Sequence, residues 1–235
     1  MLTAGFYLLL TLLIALIYTG LQKMPLPAET RRKYARGFAL ATAAWLAYLY
    51  AMDAAGVLRI FTPPPRIVVF LILPAFAAIA WFFFSKKFED LIRAMPPAWP
   101  VYLQSFRIGV EILILGVYMK GLGSIEPTLE GYNFDMLAGL TAPIVAYFVF
   151  QRKAAPKKAA LAWNIFGLLL LANVVIIFNT LFLRPEWWGY SASPIKPEFG
   201  TMPYLLIPGL YMPLAVFLHF FSIAQLKRGL APTAG

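Results

Sequence analysis

The chain has no cysteine, one histidine and few charges, which make up 13% of its 235 residues. Without cysteine there are no disulfides, no thiolate catalysis and no cysteine-ligated metal centre. A single histidine excludes a histidine-cluster metal site, so no metal is expected, and no motif calls for a cofactor. Long polar stretches are equally scarce. Hydrophobic residues make up 61% of the chain and the mean hydropathy is +0.75, against about half apolar and a quarter charged in soluble domains. The whole of 1–235 therefore reads as a single transmembrane domain.

The apolar residues lie in runs long enough to cross a bilayer, which takes about 20 residues per helix. Backbone amides in hydrocarbon must pair within the segment, so each run is a helix. The sequence predicts an all-α, polytopic bundle of seven transmembrane helices over roughly 2–22, 37–56, 66–84, 98–120, 134–151, 159–182 and 203–226. The first run has no basic stretch before it and no small-x-small site after it, so it is expected to be a retained span and not a cleaved signal.

Basic residues set the orientation. The first, third and fifth links and the tail hold Lys23, Arg31, Arg32, Lys33 and Arg36, then Lys86, Lys87 and Arg93, then Arg152, Lys153, Lys157 and Lys158, then Lys227 and Arg228. The opposite side holds only Arg59, Arg66, Lys120, Arg184 and Lys196. This excess places the first set in the cytoplasm, the N-terminus outside and the C-terminus inside. The expected location is a bacterial inner membrane or its equivalent. The net charge of +10 is thus spent on orientation and lipid headgroups; nucleic acid is not an expected partner.

Several links have readable chemistry. Pro63, Pro64 and Pro65 form a stiff, non-helical turn. Lys86 to Met95 reads as a short surface helix with Phe88, Leu91 and Ile92 facing lipid. Trp187, Trp188 and Tyr190 suit the outer interface. Gly139, Ala142 and Ala146 give the fifth span a close-packing side, and Pro143, Pro208 and Pro213 predict bends.

The fourth span carries the sharpest signal. Gln104, Arg107 and Glu111 are spaced by three and four, so they share one helical face, with Tyr118 two turns on. A charge in hydrocarbon is costly, so these groups are expected to face the bundle interior, where Arg107 and Glu111 can pair. They form either a self-neutralised packing pair or the floor of a ligand or ion pocket. Thr141 and Asn173 lie at similar depth to Glu111 and complete the candidate site. Glu130, Asn133 and Asp135 precede the fifth span and form a candidate entrance that ligates a cation or closes over the pocket, or else Asn133 or Asp135 caps the helix. His219 is a candidate proton carrier, with Tyr211 and Ser222 on its side, or a packed and hydrogen-bonded residue. Asn164 and Asn173 are nine apart, on opposite faces, and at least one is expected to serve as an interhelical hydrogen bond.

Seven spans with an external N-terminus resemble the rhodopsin and heptahelical receptor layout in topology alone. No lysine occurs between Pro203 and Gln225 to link retinal, and one histidine falls short of the set that ceramidase-type heptahelical hydrolases need. The sequence therefore leads to a small-molecule or ion transporter with a polar intramembrane pocket. The alternative is a ligand-sensing or accessory protein acting through a membrane protein partner. An enzyme acting on lipid is less favoured because no nucleophile-plus-base set is present.

Overall fold

A computed structural model describes residues 1–61 and 64–228. Pro63 of the predicted rigid turn and the tail from Gly229 lie outside the described residues. The chain is all-α: 77% is helical and no strand occurs among the described residues.

Eight helices carry the architecture: α1 Leu2–Gln22, α2 Ala28–Ala54, α3 Val68–Phe84, α4 Lys86–Ala94, α5 Ala98–Met119, α6 Met136–Gln151, α7 Lys157–Leu183 and α8 Ile207–Arg228. Four of them, α1, α5, α7 and α8, are long and apolar enough to cross a bilayer. With α4 bent 72° from it, α3 makes a fifth span if the pair is counted as one, and α6 is shorter. This is the make-up of a membrane-associated protein. Helix α2 is long but less apolar, because Glu29, Arg31, Arg32, Lys33 and Arg36 crowd its first turns and Trp45, Tyr48, Tyr50 and Asp53 its last. It begins at Ala28, well before the predicted 37, since Pro27 starts the chain into the helix and Glu29 favours its positive end.

Burial ranks the helices by position. In α5 and α8, 56% of the apolar window is buried, against 28% in α1 and 22% in α7. Helices α5 and α8 therefore form the centre. Small residues let the others approach them. On α5, Gly109 and Gly116 face Leu9 and Leu2 of α1, and Gly139 of α6 abuts Ile108. Ala138, Ala142 and Ala146 are buried against Val101 and Trp163. Polar ties close the periphery: the Tyr211 hydroxyl donates to the Phe6 carbonyl at 2.6 Å and the Trp45 indole to that of Gly209 at 2.7 Å.

Wider helical turns fall close to the prolines. The stretches Val68–Ile72, Tyr147–Gln151 and Ile207–Tyr211 are π-helical, and each lies within a turn of Pro74, Pro143 or Pro208. A different distortion interrupts α5. At Gln104 and Ser105 the amide bonds run to the residue three back, as Gln104 to Val101 at 3.1 Å and Arg107 to Gln104 at 3.1 Å. This tightened turn re-aims side chains beside the first charge of the helix.

One prediction is corrected. Helix α4 does not turn Phe88, Leu91 and Ile92 towards lipid. Ile92 is fully buried beside Leu21 and Phe221, Phe88 stacks on Phe82 at 4.3 Å, and Gln225 of α8 donates to the carbonyls of Ile92 and Met95 at 2.8 and 2.6 Å. Two hydrogen bonds and a buried isoleucine hold α4 to the bundle more firmly than an open interface would.

Candidate functional site

The polar side chains of the central helices form one connected cluster. Arg107 is 1% exposed, and every end of its guanidinium has a partner. Nε donates to Asp135 Oδ2 at 2.6 Å, and Nη2 makes an ion pair with Asp135 Oδ1. This two-point grip is the geometry that favours arginine over lysine. Nη1 meets His219 Nε2 at 2.9 Å, and Nη2 also reaches the Gly167 carbonyl at 3.4 Å.

The arginine decides the histidine tautomer. A guanidinium has only donors, so His219 Nε2 accepts and Nδ1 carries the proton. Nδ1 then donates to Asn164 Oδ1 at 2.9 Å. Asn164 spends its amide hydrogens on the Ser222 hydroxyl at 2.9 Å and the Ala160 carbonyl at 2.7 Å. The chain Asp135–Arg107–His219–Asn164–Ser222 thus joins the start of α6 to α5, α8 and α7. Trp163 packs on the histidine ring with centroids 5.3 Å apart. Gly167 makes room for that ring, since a Cβ there would collide with it.

A second tie runs from Glu111, one turn on from Arg107, to the same segment before α6. Asn133 Nδ2 donates to Glu111 Oε2 at 2.6 Å and to the Pro127 carbonyl at 2.9 Å, while its Oδ1 accepts from the Asp135 amide at 2.9 Å. Residues 133 and 135 therefore hold 107 and 111 as a double clasp. The segment above is itself packed: Ser124, Glu126, Thr128, Asn133 and Asp135 are all buried. Tyr190 donates to Glu126 Oε1 at 2.9 Å. Burial first, and then that hydrogen bond, raises the Tyr190 phenol above its ordinary pKa. In the cluster Gln104 Oε1 and Glu111 Oε1 have no hydrogen-bond partner among the described residues, and Asp135 Oδ1 is met by the Arg107 ion pair alone; the Gln104 amide donates to the Ala215 carbonyl at 3.0 Å.

The remaining predicted residues are placed as follows. Arg107 and Glu111 do face the interior, but Arg107 pairs with Asp135 and makes no ion pair with Glu111. Asp135 precedes α6 without capping it, because its carboxylate goes to Arg107. Thr141 bonds Leu137 and accepts from Trp163 at 2.9 Å, one side chain away from His219. Asn173 holds the Tyr132 carbonyl at 2.8 Å, Tyr118 is half-buried, and Glu130 is exposed. Thr141, Asn173 and Tyr118 therefore do not join the Arg107 cluster. Two clefts, one between α1 and α2 and one along an apolar seam of α3, α7 and α8, are lined by other residues and not by the cluster. Asn164 makes the interhelical hydrogen bond expected of 164 or 173, whereas Gly167 and Trp163 were not predicted; buried Ala160, Asn164, Gly167 and Leu171 at spacings of four, three and four were the available signal.

The profile of one family spans the whole cluster. The chain belongs to the family described as domain of unknown function DUF8737, matched over residues 64–227. No curated protein and no solved structure matches the chain. Every residue of the double clasp and of the chain to Ser222 falls inside the matched stretch, whereas α1 and α2 precede it.

Proposed function

We propose that this protein is a seven-span membrane carrier of a small ion or molecule, with its N-terminus outside, its C-terminus in the cytoplasm and the Arg107 cluster as its coupling centre. The observation that carries this reading is the fully buried, fully partnered guanidinium of Arg107, shared between Asp135, His219 and Gly167. Intramembrane charges of this kind are expensive and mark transport pathways. Asp135, Glu111 and His219 are the members able to exchange protons; Arg107 and Asn164 hold them in place. Protonating Asp135, or offering Arg107 another anion, weakens the clasp and frees the segment 124–135 to lift. A proton needs no cavity, so the close packing suits a proton-coupled cycle entered from the outer side.

Proteoliposomes loaded with a pH-sensitive dye test this. Under an imposed gradient the wild-type protein acidifies the lumen faster than protein-free vesicles, and Asp135→Asn does not. Failure of the wild-type protein to move protons, with or without added small anions or cations, defeats the carrier reading.

The absence of the cluster from the clefts described above favours a second reading, an accessory or sensing protein in which the same cluster is a two-state packing element acting on a membrane partner. A stoichiometric partner copurifying with a flux-inactive protein supports it.

A further inference from the structure

We infer that the cleft between α1 and α2 is a binding site for one anionic phospholipid of the inner leaflet. Helix α2 is almost unburied, with only Ala35 and Leu49 covered. Beside α1 it leaves a cleft of about 700 Å³. Its walls are Ile14, Ala15 and Tyr18 on one side and Ala39, Ala43 and Leu46 on the other. Small alanines on α2 set its depth, and the wall is apolar apart from Thr11 and Thr42.

One end of this cleft differs from the rest. Arg32 and Arg36 line it, one turn apart on the same face, with Gln22 opposite. Neither arginine has an ion-pair partner among the described residues, and both are exposed. Their neighbour Arg31 is committed elsewhere, donating to the carbonyls of Leu26 at 3.0 Å and Met24 at 3.4 Å. Lys33 and Glu29 share the adjoining face, so the surroundings stay net positive. Two free guanidinium groups at the mouth of an apolar trough match a phosphate attached to an acyl chain.

The dimensions agree. From Arg32 to Leu46 the helix rises about 21 Å, and one leaflet with its headgroups measures about 20–22 Å. The inference rests on the inward placement of the first link in the proposed topology, and it holds for a carrier or an accessory protein alike. Helices α1 and α2 lie outside the stretch matched by the family.

Native mass spectrometry of the full chain in detergent, titrated with palmitoyl-oleoyl phosphatidylglycerol or phosphatidylcholine, tests it. Wild-type protein retains one phosphatidylglycerol and discriminates against phosphatidylcholine. Arg32→Gln with Arg36→Gln binds about thirtyfold more weakly, while Lys86→Gln with Lys87→Gln matches the wild type. Ala43→Trp lowers occupancy by filling the cleft without touching charge, and raised salt releases lipid from the wild-type protein. Equal retention of the two lipids, or no loss in the arginine double variant, overturns the proposal. So does a dimer that Ala43→Trp dissociates while lipid stays bound, since a second copy would then be the occupant.

Discussion

Arg107 and Asp135 are joined through two guanidinium nitrogens, Nε at 2.6 Å from Oδ2 and Nη2 on Oδ1, across 28 residues of sequence. The pair fastens the segment before α6 to the centre of α5 and, through His219 and Asn164, to α8 and α7. Breaking it from one side strands a charge in a buried site.

That arrangement predicts a non-additive pair of substitutions. Asp135→Leu alone is expected to cost about 3–5 kcal/mol, and Arg107→Leu alone a similar amount, because each leaves its partner buried and uncompensated. The double variant Arg107→Leu with Asp135→Leu loses much less than the two singles together. Unfolding in mixed micelles, followed by circular dichroism across the four proteins, measures the coupling; additive losses would contradict it.

Gly167 supplies a steric prediction. Gly167→Ala pushes a methyl group into the His219 ring, and overpacking of this kind costs about 1–3 kcal/mol. The control is Gly37→Ala in α2, where no atom lies within 4 Å of the added carbon and the helix gains about 0.5–1 kcal/mol. Opposite signs in thermal melts are the expected outcome. A neutral Gly167→Ala would mean that the histidine does not sit against α7.

The contact between Tyr190 and Glu126 yields a pH dependence. Burial and then the hydrogen bond to Glu126 hold the Tyr190 phenol above the ordinary tyrosine pKa of about 10. The unfolded chain therefore gives up this proton first, so the contribution is complete below about pH 10 and is lost as pH rises through the folded value. Tyr190→Phe removes both the hydrogen bond and that dependence. Fluorescence of Trp187 and Trp188, followed through alkaline titration, should show an earlier unfolding limb in wild type than in the phenylalanine variant after correction for their neutral-pH stabilities.

The absence of cysteine makes topology directly measurable. A single cysteine placed at Ser191, which is exposed, is predicted to react with an impermeant maleimide from outside intact cells. One at Ala154, also exposed, is predicted to react only after lysis. The reverse pattern would invert the proposed orientation.

Much of the architecture was legible because the bilayer allows so few solutions. Long apolar runs marked α1, α7 and α8, and the charges at 107 and 111 had to turn inward since lipid does not solvate them. What was not legible is which partner each charge takes. Helical spacing suggests Arg107 with Glu111 four residues on, yet a bidentate carboxylate from a loop 28 residues away satisfies the guanidinium fork better than a neighbour on the same helix. The curl of 133–135 over α5 depends on loop geometry that period and hydropathy do not encode. Asn164 was visible as one of the amides in an apolar run. Its link to His219 required knowing that Gly167 faces α8, a matter of helix rotation and not of composition. Ile92 was misplaced because a short amphipathic pattern looks the same against lipid as against a phenylalanine cluster.

The most direct test of the central claim is proton flux through Glu111→Gln in proteoliposomes. The amide keeps an oxygen to accept from Asn133, so the fold and its melting behaviour are expected to persist while the exchangeable proton is gone. The account predicts that flux falls to the level of protein-free vesicles with an unchanged melt. Wild-type flux through a folded Glu111→Gln protein would contradict it.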